Sequence, residues 1–170
     1  MRAGRITWLI ALSWFLVFDS LSAQNAIYSA FLNTLYQKFN VVHIHADSLA
    51  DLMAKERLVL LDTRSKEEFA VSHLKDARLV AYDSFEAARI VSIDKATPII
   101  VYCSVGYRSS VVAEKLIAAG YTNVRNLYGG IFAWVNDSLP VYKDGQVTED
   151  VHPYDAYWGI WLTKGRKTEK

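Results

Sequence analysis

One cysteine, Cys103, is all that this 170-residue chain carries. No internal disulfide can staple the fold, which must stand on a hydrophobic core. Net charge is also nearly absent: 19 Lys and Arg face 18 Asp and Glu. That balance leaves no field strong enough to recruit nucleic acid or an anionic membrane, so charge names no partner. Proline is scarce, at three residues, and no repeat or low-complexity stretch interrupts the chain. What is present is a globular balance, 52% hydrophobic and 22% charged, at a length that suits one domain with peripheral segments.

The opening stretch differs from the rest. Arg2 and Arg5 precede a charge-free run from Ile6 to Phe18, followed by small residues at Ser22 and Ala23. A bilayer-spanning helix needs about 20 apolar residues, so this pattern reads as a secretory signal peptide over 1–23, cleaved after Ala23. The expectation is an exported, periplasmic protein that keeps no membrane contact after cleavage. The alternative is a chain anchored by the uncleaved segment. Export gives the lone cysteine meaning, because an unpaired thiol in an oxidising compartment suggests a reactive group.

Residues 24–41 read as a helical extension with Ile27, Phe31, Leu35 and Phe39 on one stripe. From 42 to 138, short apolar strands ("VVHIH", "RLVLLD", "ARLV", "TPIIVYC", "YTNVRNL") alternate with helical segments ("ADSLADLMAKE", "KEEFAVSHL", "DSFEAARIVS", "SSVVAEKLIAAG", "GGIFAWVND"). This alternation predicts an α/β domain of three layers, a central parallel sheet flanked by helices on both faces. Residues 139–170 read as an extended tail with a Tyr/Trp-rich patch and a frayed charged end. The patch either packs on the core or docks a protein partner.

In such sheets ligands sit at the carboxyl ends of strands, and Cys103 stands at one. A thiolate needs positive potential. "CSVGYRSS" supplies it from a turn that Gly106 lets curl, from a helix starting near Ser109 or Ser110, and from the guanidinium of Arg108, which can grip an anion with two hydrogen bonds. The result is an anion cradle with a nucleophile at its base.

That loop resembles the active-site loop of the rhodanese family of sulfurtransferases, often C-x-x-G-x-R followed by Ser or Thr. "LLDTRSKEEFAVSHLKDARLV" resembles the family's amino-terminal signature, and "NLYGGIFAW" its carboxyl-terminal L-x-G-G-x-x-x-W. Ser72 and Asp76 stand where the family usually has glycine. The resemblance implies that Cys103 takes sulfane sulfur from a small anionic donor as a persulfide. It would then pass the sulfur to a thiol or other thiophilic acceptor. Arg108 would orient the donor, and the N–H groups of Ser104, Val105, Gly106, Tyr107, Arg108 and Ser109 would hold the persulfide's charge, with Tyr107 facing substrate. No metal or organic cofactor is implied.

Other residues read as structure near the site: Asp62 and Arg64 at a strand end, Arg64 paired with Glu68, and His73 as a loop anchor. His43 and His45 lack a third ligand and make a weak metal signal. Trp134 is expected to pack a helix onto the sheet. Three rivals remain. A cysteine phosphatase or arsenate reductase would need five residues between Cys and Arg, where this loop has only Ser104 to Tyr107. The others are a non-enzymatic binding module and a thiol redox protein with an external resolving cysteine.

Overall fold

The structure is a computed structural model that describes residues 24 and 26–169. The signal-peptide and anchor readings of 1–23 lie outside the described residues. Among those described, no helix is long and apolar enough to cross a membrane. The chain divides into two units, Met1–Leu35 and Tyr36–Lys170. In the first, residues 26–35 are helical (α1).

The second unit is built on five parallel strands: β1 (Val42–Ile44), β2 (Val59–Asp62), β3 (Arg78–Leu79), β4 (Ile99–Tyr102) and β5 (Val124–Leu127), in the order β1-β5-β4-β2-β3. Their connections carry α2 (Ala46–Lys55), α3 (Lys66–Val71) and α4 (Tyr107–Ala118), and α5 (Gly130–Asn136) follows β5. The central strand β4 is buried at every residue, as a strand covered on both faces must be. Its alternate side chains divide between the faces. Ile99 and Val101 join Leu61, Val124 and the α4 residues Val112, Ala113 and Leu116 in one core cluster. On the other face Tyr102 reaches the α3–β3 loop, its hydroxyl accepting the Leu74 N–H at 3.1 Å. This is the α/β architecture expected from the alternation.

Three local expectations change. The stretch "DSFEAARIVS" forms two 3-10 turns, Tyr82–Ser84 and Ala87–Ile90, instead of one helix. Phe85 stands extended between them and is buried with Ile90 and Ile93, a packing that a continuous helix would give up. Helix α4 starts at Tyr107, ahead of Ser109 and Ser110, because Gly106 takes the left-handed N-cap position at φ 97°.

The tail is also folded. A hairpin joins β6 (Val141–Lys143) to β7 (Gln146–Thr148) through Asp144 and Gly145, both at positive φ, the turn that an Asp-Gly pair favours. Strand β8 (Asp150–Val151) then pairs with β9 (Arg166–Lys167). The charged end is held because Arg166 and Thr168 both donate to the Asp150 carboxylate, while Val151 and Leu162 are buried. Of the two departures from glycine, Asp76 adopts φ 60°, where aspartate is tolerated better than most residues. Ser72 is extended, and there glycine is not required.

Candidate functional site

Four residues, Cys103 to Gly106, connect the end of β4 to the start of α4. The Cys103 thiol is free and 1% exposed. The Gly106 N–H donates to its sulfur at 3.1 Å. The loop's carbonyls are drawn away from the sulfur by other elements. Helix α5 contributes the N–H groups of Ile131 and Phe132, which donate to the oxygens of Cys103 (2.8 Å) and Ser104 (3.1 Å). The Gly106 oxygen accepts from the Asn126 amide at 2.9 Å and from Ser110 Oγ at 2.7 Å. With its acceptors engaged elsewhere, the loop turns the Gly106 N–H, at the N-cap of α4, toward the thiol.

Gly130 makes this possible. It has φ 59°, and a Cβ there would lie 2.3 Å from the Cys103 oxygen and 2.6 Å from that of Ser104. Gly130→Ala must therefore move backbone in the loop, whereas Gly120→Ala, at φ 91° with nothing within 4 Å, meets only left-handed strain. The expected losses are about 1 kcal/mol at Gly120 and at least twice that, roughly 2 to 4 kcal/mol, at Gly130. Urea midpoints that fall equally would contradict the close packing of α5 on the loop.

The charged residues pair differently from expectation. Arg64 turns back on Asp62 with Nη2 at 2.6 Å, both side chains fully buried, and also donates to the Ser72 oxygen at 2.6 Å. Glu68 instead faces Arg108, whose Nη1 and Nη2 reach its two oxygens at 2.8 and 2.7 Å. The cause is local. A capping box locks Ser65 and Glu68 at the start of α3 and aims the carboxylate at the cysteine loop, where Ser104 Oγ also donates to it at 2.9 Å. Arg108, expected to hold a donor, bonds Ser104 Oγ at 3.0 Å as well as Glu68 and also interacts with the Cys103 sulfur, and the Tyr154 ring lies 4.8 Å from its guanidinium carbon.

Burial raises the Glu68 carboxyl, but hydrogen bonds and charge from Arg108, the Ser65 N–H and the charge of Arg64 outweigh it, leaving a pKa of about 2. Burial likewise works against the Arg108 charge; Glu68 and the Cys103 sulfur overcome it and hold the guanidinium above its ordinary value. A carboxyl lowered in the folded state contributes stability that is complete above its ordinary 4.5 and lost as pH falls toward about 2. Wild-type stability should accordingly decline across that window in denaturant titrations. Glu68→Gln should be less stable at neutral pH and flatter in acid, and parallel curves for the two proteins would refute the pairing.

The site therefore gathers Cys103, Ser104, Val105, Gly106, Arg108 and Glu68. Tyr107 is half-buried at the rim, where Lys38 Nζ donates to its hydroxyl at 2.7 Å. Ser109 Oγ is buried and makes no hydrogen bond among the described residues. Asp62 and Arg64 lie fully buried at the end of the neighbouring strand β2. His73 stacks on Phe69 at 4.2 Å and pairs its backbone with Tyr142. The Trp134 indole donates to the Pro140 oxygen at 2.9 Å. His43 stacks on Tyr36 at 4.3 Å, and among the described residues no group of three or more metal-binding side chains exists.

Sequence reasoning missed Tyr36, Asn126, Gly130 and Tyr154. Asn126 and Gly130 both lie in the stretch "NLYGGIFAW", whose motif carried the signal; Tyr36 and Tyr154 come from distant segments.

Comparison with known proteins places this geometry. A family model described as the rhodanese-like domain matches residues 45–137. A protein of Allochromatium vinosum named sulfurtransferase is 33% identical over 102 residues, which cover 59% of this chain and 94% of that protein. An adenylyltransferase and sulfurtransferase of Candida albicans is 34% identical over 115 residues, 62% of this chain; the chain spans only 26% of that longer protein. The crystal structure of a thiosulfate sulfurtransferase from Pseudomonas aeruginosa superposes with a TM-score of 0.58 at 23% identity, covering 70% of this chain and 23% of the other. With the model matching more than half of its length and the cysteine loop at the end of the central strand, this chain belongs to the rhodanese-like domain family.

Proposed function

We propose that this protein is a sulfurtransferase that carries sulfane sulfur as a persulfide on Cys103. The thiolate attacks the outer sulfur of a small anionic donor such as thiosulfate or a polysulfide. A sulfur–sulfur bond to Cys103 forms, the donor's own sulfur–sulfur bond breaks, and sulfite or the shortened polysulfide leaves with the electron pair. A thiolate or other thiophilic acceptor then attacks the terminal sulfur, and Cys103 departs as thiolate. Neither step needs a metal, an external oxidant or a proton donor for a poor leaving group.

The observation that carries this reading is the Gly106 N–H aimed at the Cys103 sulfur at 3.1 Å, within a loop whose carbonyl oxygens are bonded elsewhere. Such a site stabilises negative charge on sulfur in both the thiolate and the persulfide. The names of the relatives from Allochromatium and Candida point the same way. Phosphate chemistry fits less well: the carboxylate beside the loop, Glu68, is held ionised with a pKa of about 2 and has no proton to give a leaving alkoxide.

At the rim Lys38, exposed beside Tyr107, offers an anionic donor a second cation beside Arg108. The test is the intact mass of the full protein before and after incubation with thiosulfate, or with polysulfide. A gain equal to one sulfur atom supports the reading, and no gain with either donor refutes it. The starting mass of protein taken from its native host also checks the proposed export signal, by showing whether the chain begins at Gln24.

A further inference from the structure

Tyr36 precedes the stretch that matches the family, 45–137, yet its hydroxyl reaches the cysteine loop. Tyr36 Oη donates to the Val105 carbonyl oxygen at 2.5 Å and accepts the Gly129 N–H at 2.9 Å. The first of these bonds falls on a particular peptide unit. In a trans peptide the carbonyl and the following N–H point in opposite directions, and no peptide bond in this structure is cis among the described residues. The unit joining Val105 to Gly106 therefore holds two opposed hydrogen bonds: its oxygen on Tyr36, its N–H on the Cys103 sulfur at 3.1 Å.

Fixing the oxygen fixes where the N–H points. A donor on the oxygen also polarises the amide and strengthens its N–H as a donor, since bonded chains reinforce one another in a low-dielectric interior. The loop is shaped to admit this contact. A Cβ on Gly106 would lie 2.1 Å from Tyr36 Oη, so glycine at this position serves the tyrosine's approach as well as the left-handed turn. The Tyr36 ring is held independently of its hydroxyl, stacked on His43 at 4.3 Å and edge-on to Tyr128 at 5.5 Å.

We propose that Tyr36 is a positioning residue for the sulfur chemistry of Cys103, aiming and polarising the Gly106 N–H that holds charge on the sulfur. This rests on the reading of Cys103 as the nucleophile. It assigns the segment before the family domain a part in the reaction that the family motifs do not contain.

The experiment compares the full-length chain with its Tyr36→Phe variant, which keeps the stacked ring and loses the hydroxyl. Three quantities are read: the rate of Cys103 alkylation by iodoacetamide at neutral pH, kcat and KM for sulfur uptake from thiosulfate, and the backbone amide NMR signal of Gly106. Alkylation and kcat should each fall roughly fivefold to tenfold, the effect of weakening one hydrogen bond to a charged group. KM should stay unchanged, because Tyr36 does not meet the donor, and the Gly106 amide proton should move upfield. A purely structural tyrosine would lower the melting temperature and leave the alkylation rate of the folded protein and the Gly106 signal where they were.

If Tyr36→Phe does not fold, 3-fluorotyrosine at position 36 decides: a stronger hydroxyl donor should speed alkylation and move the Gly106 proton downfield. A Gly106 signal that does not respond overturns the proposal. Wild-type Cys103 that takes up no sulfur refutes the sulfurtransferase reading instead, and the Gly106 signal still decides whether Tyr36 aims that N–H.

Discussion

Incubated with thiosulfate, Cys103→Ser should gain no sulfur, while the wild-type chain should gain the mass of one sulfur atom. The effect should be loss of all measurable transfer, at least about a thousandfold in rate, because the substitution removes the atom on which the proposed persulfide forms. The environment around it survives. Serine is smaller than cysteine and its hydroxyl can accept the same Gly106 N–H, so the fold should tolerate it at a cost of about 1 to 2 kcal/mol. What serine lacks is an anion accessible at neutral pH and a soft atom to attack sulfur. Sulfur retained in Cys103→Ser would place the acceptor atom elsewhere in the chain.

Asp62→Ala should unfold the protein far more readily than any exposed substitution, by about 3 to 5 kcal/mol, as expected when one member of a buried ion pair is removed. Asp62 and Arg64 are both fully buried, and Asp62 accepts the Arg64 backbone N–H as well as Nε and Nη2. Without the carboxylate the guanidinium keeps the Ser72 oxygen, the Tyr102 ring 5.7 Å away and the field of Glu68. That loss is a large share of the roughly 5 to 15 kcal/mol that holds a domain of this size together. Removing both charges with Asp62→Leu and Arg64→Met should recover much of it, since the penalty lies in the unpaired charge. Urea unfolding of the three proteins tests this, and a single variant within about 1 kcal/mol of wild type would sink it.

The features legible in the sequence are those decided by neighbouring residues. Buried strands announce themselves as apolar runs, and Gly106 marks the turn after β4, so the parallel sheet and the place of Cys103 at a strand end could be read directly. Features decided across the fold could not. Arg64 and Glu68 stand close enough in sequence to suggest a pair, yet the capping box at Ser65 turns Glu68 toward Arg108 and leaves Arg64 to Asp62. Tyr36 and Tyr154 lie in segments without a motif, and their contacts with the loop bridge long stretches of chain. The tail looked frayed because its charges were counted as solvated; in the fold Arg166 and Thr168 share one carboxylate.

The strand order has a consequence for how the chain acquires its structure. Among the described residues β1 is the first strand in sequence and pairs only with β5, the last of the sheet. An edge made this way cannot zip up as the polypeptide lengthens: residues 42–44 wait unpaired until residues 125–127 arrive. Closing so long a loop places the step late and makes it slow. The Tyr36 hydroxyl waits for the same moment, because its two partners, the Val105 oxygen and the Gly129 N–H, lie on either side of β5 in sequence. The sheet and the sulfur site should therefore mature together, in the final stage of folding.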